Sequence, residues 1–297
     1  MSLPRLLKTI DENAFRNCSS LATLQLPNTV RSIAKAAFQS CTALEEVLIS
    51  DPGVAFTIGD EVFLGCTALK TVEIAADMNT LSMDSFNGCT SLTTVQITGN
   101  INHIGTRAFA GCIKLTDVSL PSCLIRIRNE AFKGCTALTK ISLPEGLTEL
   151  QNSAFQASGL TEIELPASVT TLGAYTFQNC KSLASVNFKG DGIKAFNGYI
   201  FSGCEKLKSI VLPSKLGNIA YNTFYNCVSL ESITIPATVT QVSPYAFEGC
   251  TALSDVYFTG TIEQWNGISF DNEKSDPCYY AKHLWIGGVD VLVTKAP

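Results

Sequence analysis

The side chains most able to do chemistry in this chain are its twelve cysteines, most of which share one position of a repeating pattern. Thiols can form disulfides, and thiolates can bind zinc or act as nucleophiles. The shared position lies three residues after a recurring phenylalanine, at Cys18, Cys41, Cys66, Cys89, Cys112, Cys135, Cys180, Cys204, Cys227 and Cys250. Cys123 and Cys278 lie outside this position, and Ser158 replaces the cysteine in one copy.

This spacing favours none of those cysteine chemistries. The chain has no C-x₂-C pair, and both histidines, His103 and His283, lie outside the cysteine position, so the usual zinc ligand sets are missing from the sequence. Neighbouring coils would lie about 5 Å apart, but parallel side chains in one packed column have the wrong mutual orientation for a disulfide. We therefore predict free, buried thiols that pack as small apolar side chains, with no bound metal and no cofactor.

Acid–base catalysis has little support in the sequence. His103 and His283 are far apart and belong to different units of the chain. Carboxylates could take their place, but the sequence has no glycine-rich phosphate loop, nucleophile elbow or H-E-x-x-H motif. We predict that the protein is not an enzyme.

The elements that position the cysteines follow from an apolar skeleton, A-F-x-x-C-x-x-L-x-x-I-x-L-P, seen clearly in residues 131–144. It recurs about every 23 residues, with its phenylalanine at Phe15, Phe38, Phe63, Phe86, Phe109, Phe132, Phe155, Phe177, Phe201, Phe224 and Phe247. A period this regular is typical of a solenoid of stacked coils. Because one coil cannot bury its own apolar side, the stacked columns must form one core.

Each repeat divides into three parts. An alternating apolar triplet, such as Leu24–Leu26 or Ile141–Leu143, predicts a strand whose outer two residues point inward. A proline often ends the strand because it cannot donate to a ladder. A turn with a short extended piece follows, and the A-F-x-x-C segment is predicted to be a short helix or 3₁₀ turn. We predict about eleven coils in one domain, residues 1–259.

Composition limits the partners of the chain. A net charge of −5 offers no basic surface for nucleic acid, and no apolar run approaches the ~18 residues needed to cross a bilayer. We expect a monomer that binds no nucleic acid and does not insert into a membrane. Because the pattern begins in mid-repeat at Leu3-Pro4, we expect any leader or anchor to lie outside this chain.

The repeat pattern changes in residues 260–297, which we predict to be a separate C-terminal unit. Leu284–Ile286 and Val289–Val293, joined by two glycines, predict a β-hairpin. Both tryptophans, Trp265 and Trp285, lie in this unit. Its apolar bulk predicts a cap over the last coil or a linker to a further segment, and the alternative is an aromatic platform for a ligand.

The repeat, laid out in this way, resembles that of the BspA-like leucine-rich repeat family, I-G-x-x-A-F-x-x-C-x-x-L-x-x-I-x-I-P. Residues 104–121 follow it closely, from Ile104-Gly105 through Ala108-Phe109 and Cys112. The tail is similar to the family's G-T-x-x-Q-W-N unit in residues 260–266. The resemblance implies a leucine-rich-repeat solenoid, an α/β repeat with a parallel sheet on its concave side. It also implies an extracellular or cell-surface location, as in bacterial and protozoan members.

The resemblance further implies adhesion to host proteins, fibronectin- and fibrinogen-type ligands among them, so the expected partner is a host extracellular-matrix or plasma protein. The family offers no fixed binding residues to carry over. The outward side chains of the concave strands are therefore the candidates, and we predict Asp117, Lys140, Glu162, Glu164, Glu73 and Tyr257 as ligand-binding residues. Asp117, Lys140 and Glu162 are expected to be lateral neighbours, with Glu164 beside them, forming a mildly acidic surface suited to a basic protein segment.

Three functions remain open from the sequence. The first is a non-enzymatic, cell-surface binding and adhesion module, because the repeats carry no catalytic pattern. The second is a structural spacer that presents other domains. The third is a glycan-binding protein that uses the aromatic C-terminal unit.

Overall fold

The computed structural model describes residues 3–292 and confirms the predicted solenoid of about eleven coils. The chain divides into two compact units, which meet in sequence at Leu147 and Thr148. Each unit is a run of coils built on short parallel strands, with very little helix. The predicted boundary between residues 259 and 260 lies inside the second unit and stays a prediction.

The first unit contains ten strands: β1 (Thr9–Ile10), β2 (Ser32–Ile33), β3 (Glu46–Ile49), β4 (Thr57–Ile58), β5 (Thr71–Ile74), β6 (Met78–Leu81), β7 (Thr94–Ile97), β8 (Ile101–Ile104), β9 (Asp117–Ser119) and β10 (Arg126–Ile127). The apolar triplets form one parallel sheet in the order β3-β5-β7-β9. The short extended pieces pair separately, in the orders β1-β2-β4 and β6-β8-β10. The predicted strand at Ile141–Leu143 does not form, and both of these apolar side chains are only half-buried.

The second unit contains β11 (Glu149–Leu150), β12 (Glu162–Leu165), β13 (Thr171–Leu172), β14 (Ser185–Phe188), β15 (Ser209–Val211), β16 (Asn218–Ile219), β17 (Ser232–Ile235), β18 (Gln241–Val242), β19 (Asp255–Phe258), α1 (Ile262–Asn266), β20 (Ser269–Phe270), two 3₁₀ turns (Glu273–Ser275 and Pro277–Tyr279), β21 (His283–Ile286) and β22 (Val289–Asp290). Triplet strands pair in the orders β12-β14 and β15-β17-β19-β21-β22. The predicted hairpin is β21 and β22, which pair antiparallel; Val293, its predicted end, lies outside the described residues.

The core consists of columns of identical side chains, as the period predicts. The phenylalanine rings from Phe38 to Phe247 are fully buried, and successive rings stack within each unit at centroid distances of 5.1–5.9 Å. The triplet strands alternate between exposed and buried residues, for example in β5 and β12. Each apolar column therefore continues from coil to coil, and the side chains between these columns face outward.

The A-F-x-x-C segments are turns rather than the predicted helices. In every coil the residues two before and two after the phenylalanine have positive φ, between 52° and 81°. A left-handed residue ends a right-handed helix. It also lets backbone N–H groups point along the stack, where Asn13, Phe15 and Asn17 donate to carbonyls of the next coil at 3.1, 2.7 and 2.8 Å.

The cysteine column adds a second coil-to-coil bond, and all twelve cysteines are free thiols. The Cys112 thiol donates to the Phe86 carbonyl of the preceding coil at 3.2 Å, and Cys227 donates to Phe201 at 3.1 Å. Burial raises the pKa of the Cys66 and Cys112 thiols to about 12. The predicted buried thiols are confirmed along the column except at Cys18, which is exposed in the first coil.

We predict that Phe132→Ala lowers the free energy of unfolding by about 3–5 kcal/mol, because it leaves a cavity in the column where its ring stacks on Phe109 at 5.3 Å. Lys133→Ala is the matched control. The Lys133 side chain is 43% exposed and pairs with Glu130, so its loss should cost at most about 0.5 kcal/mol. Urea denaturation measures both, and equal midpoints would contradict the stacked core.

The buried thiols also predict a loss of stability in alkali. Thiols ionise near pH 9 when exposed in the unfolded chain, whereas those of Cys66, Cys112 and Cys250 need a pH of about 12 in the fold. The unfolded state therefore binds fewer protons than the native state above pH 9, and the unfolding free energy falls as the pH rises. Chemical denaturation between pH 8 and 11 measures this, and Cys112→Ala should flatten the slope.

Candidate functional site

The outward side chains of the triplet strands form the strand face, which we define in the second unit by β12, β14, β15, β17, β19 and β21, and in the first by β3, β5, β7 and β9. All six predicted binding residues are exposed. In the first unit, Glu73 lies on β5 between Leu48 and Gln96, and Asp117 lies on β9 beside Thr94. Lys140 is outside any strand, so no strand register sets its position next to Asp117.

In the second unit, Glu162 and Glu164 both point outward from β12, where they lie beside Ser185 and Asn187 of β14. Glu164 is engaged: the Lys189 ammonium lies 2.9 Å from its carboxylate. This hydrogen-bonded ion pair lowers the pKa of Glu164. A basic ligand would therefore compete with Lys189, a partner that the sequence analysis did not identify.

Tyr257 belongs to an aromatic and apolar row. Parallel register aligns Val211, Thr234, Tyr257 and Trp285 on β15, β17, β19 and β21. The Tyr257 and Trp285 rings stack with centroids 6.2 Å apart and an interplanar angle of 13°. Val211 is 65% exposed and Tyr257 is 42% exposed. Apolar or aromatic side chains thus occupy this row on three of the four strands, and Thr234 separates Val211 from Tyr257.

A polar network fixes the position of Trp285 in this row. Its indole Nε1 donates to Asp255 Oδ1 at 2.8 Å, and the Ser254 hydroxyl also bonds to the Asp255 carboxylate. These two hydrogen bonds, from Ser254 first and Trp285 second, lower the pKa of Asp255. Beside them, His283 Nδ1 contacts Asp290 Oδ2 at 2.5 Å. The indole therefore has a defined orientation, although it lies at the protein surface.

The strand face is interrupted inside the second unit. β14 and β15 belong to different sheets, so the ladder of strand hydrogen bonds breaks between them. An open cleft of about 500 Å³ lies at this break, and Asn187, Phe188, Val211 and Pro213 are among the residues that line it. The apolar row therefore begins, at Val211, on the rim of a concave feature that a ligand side chain can enter.

The sequence analysis predicted β21 as one arm of a hairpin but did not place it as the last strand of this face. β21 pairs parallel with β19 and so continues the ladder, while β22 closes its edge. This pairing brings His283 beside Asp255 and Trp285 beside Tyr257. The alternation of Leu284 and Ile286 around Trp285 could have revealed it, since the same inward spacing occurs in the other triplets.

The other tryptophan has a structural position. Trp265 is only 8% exposed and packs edge-on against Phe258 at 5.2 Å and near Phe270 at 5.7 Å. A reciprocal capping pair, Thr261 and Gln264, starts the helix α1 that holds it. Trp265 therefore caps the core, and an aromatic ligand platform in residues 260–292 would have to rely on Trp285 and the exposed Tyr279.

The part of the chain that the structure describes brings together few side chains that could bind a metal ion or transfer a proton. Among residues 3–292, no group of three or more histidine, cysteine, aspartate or glutamate side chains is arranged to hold a metal ion. His103 lies on β8 of the first unit and His283 on β21 of the second. The helices within residues 3–292 are too short to cross a membrane.

Parallel coils with stacked apolar columns and a regular outward face define a leucine-rich-repeat solenoid, a class of repeat scaffold suited to protein interaction. The family model described as "BspA type Leucine rich repeat region (6 copies)" matches residues 1–116, 102–196 and 173–282. The chain belongs to this BspA-type leucine-rich repeat family, as its repeat pattern predicted.

Several solved structures are similar to this chain. A leucine-rich cell surface protein from Faecalibacterium prausnitzii A2-165 is 28% identical, with 90% of this chain and 86% of that chain covered and a TM-score of 0.47. A leucine-rich repeat protein of T. pallidum is 27% identical, with coverage of 62% and 77% and a TM-score of 0.46. One from Bacteroides ovatus is 23% identical, with coverage of 85% and 92% and a TM-score of 0.32. The comparison with curated proteins found no match.

The different positions of the two tryptophans lead to a stability prediction. Trp265→Ala should lower the free energy of unfolding by about 3–5 kcal/mol, because it opens a cavity against Phe258 and Phe270. Trp285→Ala should cost clearly less, since that ring is half-exposed on the strand face. Urea denaturation of both variants measures the difference, and an equal loss would contradict the assignment of Trp265 to the cap.

Proposed function

We propose that this protein is a non-enzymatic binding and adhesion module that recognises a protein ligand through its strand face, outside the cell or at the cell surface. The observation that carries the proposal is the surface row of the exposed Val211 and Tyr257 and the half-exposed Trp285. Tyrosine and tryptophan are enriched among the residues that dominate binding energy in protein interfaces. A monomer presents this row on a rigid sheet, so little conformational freedom is lost on binding.

The acidic side chains of the strand face add charge selectivity to the proposal. Glu162 and Glu164 are exposed in the second unit, and Glu73 and Asp117 in the first. Exposed charges steer association and select against like-charged partners more than they add affinity. The proposed partner therefore carries a basic segment, and host extracellular-matrix or plasma proteins are the class to search first.

The cleft at the break between β14 and β15 lies at one end of the apolar row, where a side chain of the ligand can insert. Deep insertion of one ligand side chain beside Phe188 and Val211 would exclude water from the centre of the contact, and residues that dominate binding cluster in such desolvated positions. The Lys189–Glu164 ion pair lies next to this cleft. Salt should therefore weaken the electrostatic part of binding and leave the apolar part.

The test is a binding screen of the protein against immobilised extracellular-matrix and plasma proteins by surface plasmon resonance. For a ligand found in this way, Tyr257→Ala and Trp285→Ala should each weaken binding by about 2 kcal/mol, roughly thirtyfold. Glu162→Gln with Glu164→Gln should mainly slow association and reduce its salt dependence.

Tyr279→Ala is the matched control, because Tyr279 is 49% exposed but lies on a 3₁₀ turn away from the strand face. It should bind the ligand as the unchanged protein does. A ligand whose affinity is insensitive to both strand-face aromatic variants would contradict the proposed site. Absence of any saturable ligand would favour the second function, a structural spacer that presents other domains.

A further inference from the structure

The coils of the second unit carry a cluster of tyrosines away from the strand face. We call the outward side of its A-F-x-x-C turns the turn face, defined by residues 152–157, 174–179, 198–203 and 221–226. The Tyr175 and Tyr199 rings stack there with centroids 4.9 Å apart, and Tyr221 meets Tyr199 edge-on at 5.3 Å. The three rings thus form one continuous aromatic surface across three coils.

Tyr221 presents a flat, accessible ring. A Cβ atom on Gly198 would lie 2.4–2.9 Å from three carbons of the Tyr221 ring, so the ring lies directly over the glycine backbone. One face of the ring is covered by Gly198 and one edge meets Tyr199, yet 46% of the residue is exposed. Gly198 is therefore required for this placement, and nearly half of Tyr221 remains accessible to a ligand.

Two of the three tyrosines occupy positions with a conformational cost. Tyr175 and Tyr199 have φ of 61° and 60°, a region that bulky side chains rarely adopt. The coil geometry imposes positive φ at this position in every coil, and residues as different as Ala36, Arg107 and Tyr245 occupy it. Positive φ is thus a property of the coil and does not by itself mark a functional site.

The turn face of the second unit is also uncharged. Its four segments contain no aspartate, glutamate, lysine, arginine or histidine. The corresponding turns of the first unit carry ion pairs instead, between Lys35 and Glu61 at 3.2 Å and between Arg107 and Asp84 at 2.7 Å. The last coil of the second unit also carries such a pair, between Lys274 and Glu248 at 3.0 Å, so the uncharged turns are those of the four coils that define the turn face.

Polar groups on this neutral face are hydroxyls and amides. Within residues 3–292, the hydroxyls of Tyr175, Tyr199 and Tyr221 form no hydrogen bond with the protein. Asn179, Asn197 and Asn226 are exposed close to them in sequence or on adjoining coils. Hydroxyls and amides both donate and accept hydrogen bonds without carrying charge. The three asparagines lie on the same coils as the three rings.

We propose that this tyrosine surface binds a neutral oligosaccharide. A pyranose ring has an apolar C–H face that packs on an aromatic ring and a rim of uncharged hydroxyls that pair with phenol and amide groups. A tight protein interface would instead be expected to combine its aromatic residues with arginine in a desolvated pocket, and the four segments of the turn face contain no arginine. The site is separate from the strand face, so it does not rest on the proposed function.

The test is isothermal titration calorimetry of the full chain with neutral hexasaccharides of glucose, mannose and xylose. At least one should bind with a Kd between about 10 μM and 1 mM. Tyr221→Ala should weaken that binding at least about tenfold. Gly198→Ala should weaken it comparably, because the new methyl group displaces the ring without removing it. Tyr221→Phe should have a smaller effect, because the ring face remains.

Tyr257→Ala is the matched control, since it removes an equally exposed tyrosine from the strand face. It should leave oligosaccharide binding unchanged, and circular dichroism with thermal melting should show that all variants are folded. The proposal is wrong if none of the hexasaccharides binds, or if binding is insensitive to Tyr221→Ala and Gly198→Ala. It is equally wrong if Tyr221→Ala instead abolishes self-association or binding to a protein ligand.

Discussion

One backbone hydrogen bond, repeated at every phenylalanine, holds successive coils of each unit together. The N–H of Phe15 donates to Ala37, that of Phe86 to Ala108 and that of Phe224 to Ala246, at 2.7–2.8 Å. This bond sets the spacing at which the rings stack, and it requires a turn whose N–H groups point along the stack rather than along a helix. Where the next coil has the cysteine, its thiol donates to the carbonyl of the phenylalanine, as Cys112 does to Phe86. A buried thiol is suited to this position because it fills an apolar column and still satisfies a buried carbonyl.

Because each coil must stack on its neighbours, the residue types at inward positions are restricted, whereas those at outward positions can vary. Inward positions repeat because a substitution there disturbs the coils on both sides, whereas outward positions on the strand and turn faces meet solvent. Because the same apolar side chains recur at the inward positions, the interior of the coils offers few groups that could catalyse a reaction or bind a ligand. Variation at the outward positions explains how two different surfaces arise on the same coils of the second unit, an acidic and aromatic strand face and a neutral tyrosine turn face.

The repeat period was sufficient to predict the core, because residue type and spacing there are dictated by stacking. It did not predict the turns, since the residues that adopt positive φ include Glu61, Arg107 and Tyr199, types with no preference for that conformation. The sequence analysis identified which side chains of the strands face outward, but it did not identify the residues that they contact. The pairing of Glu164 with Lys189 depends on side-chain reach across two coils, and the place of Trp285 in the ladder depends on a strand that follows a helix and two 3₁₀ turns.

The strand face and the turn face of the second unit would recognise ligands through different interactions. On the strand face, the acidic residues attract basic partners over a distance that salt can shorten, and Tyr257 and Trp285 then supply apolar contact. On the turn face, the absence of charge leaves only short-range contact and hydrogen bonding, which are insensitive to salt and demand close complementarity to Tyr221. A charged partner gains no charge–charge attraction from the turn face, and a neutral sugar gains none from the acidic residues of the strand face. The two surfaces therefore do not compete for the same ligand, and the backbone bonds that fix the coils keep both of them preformed.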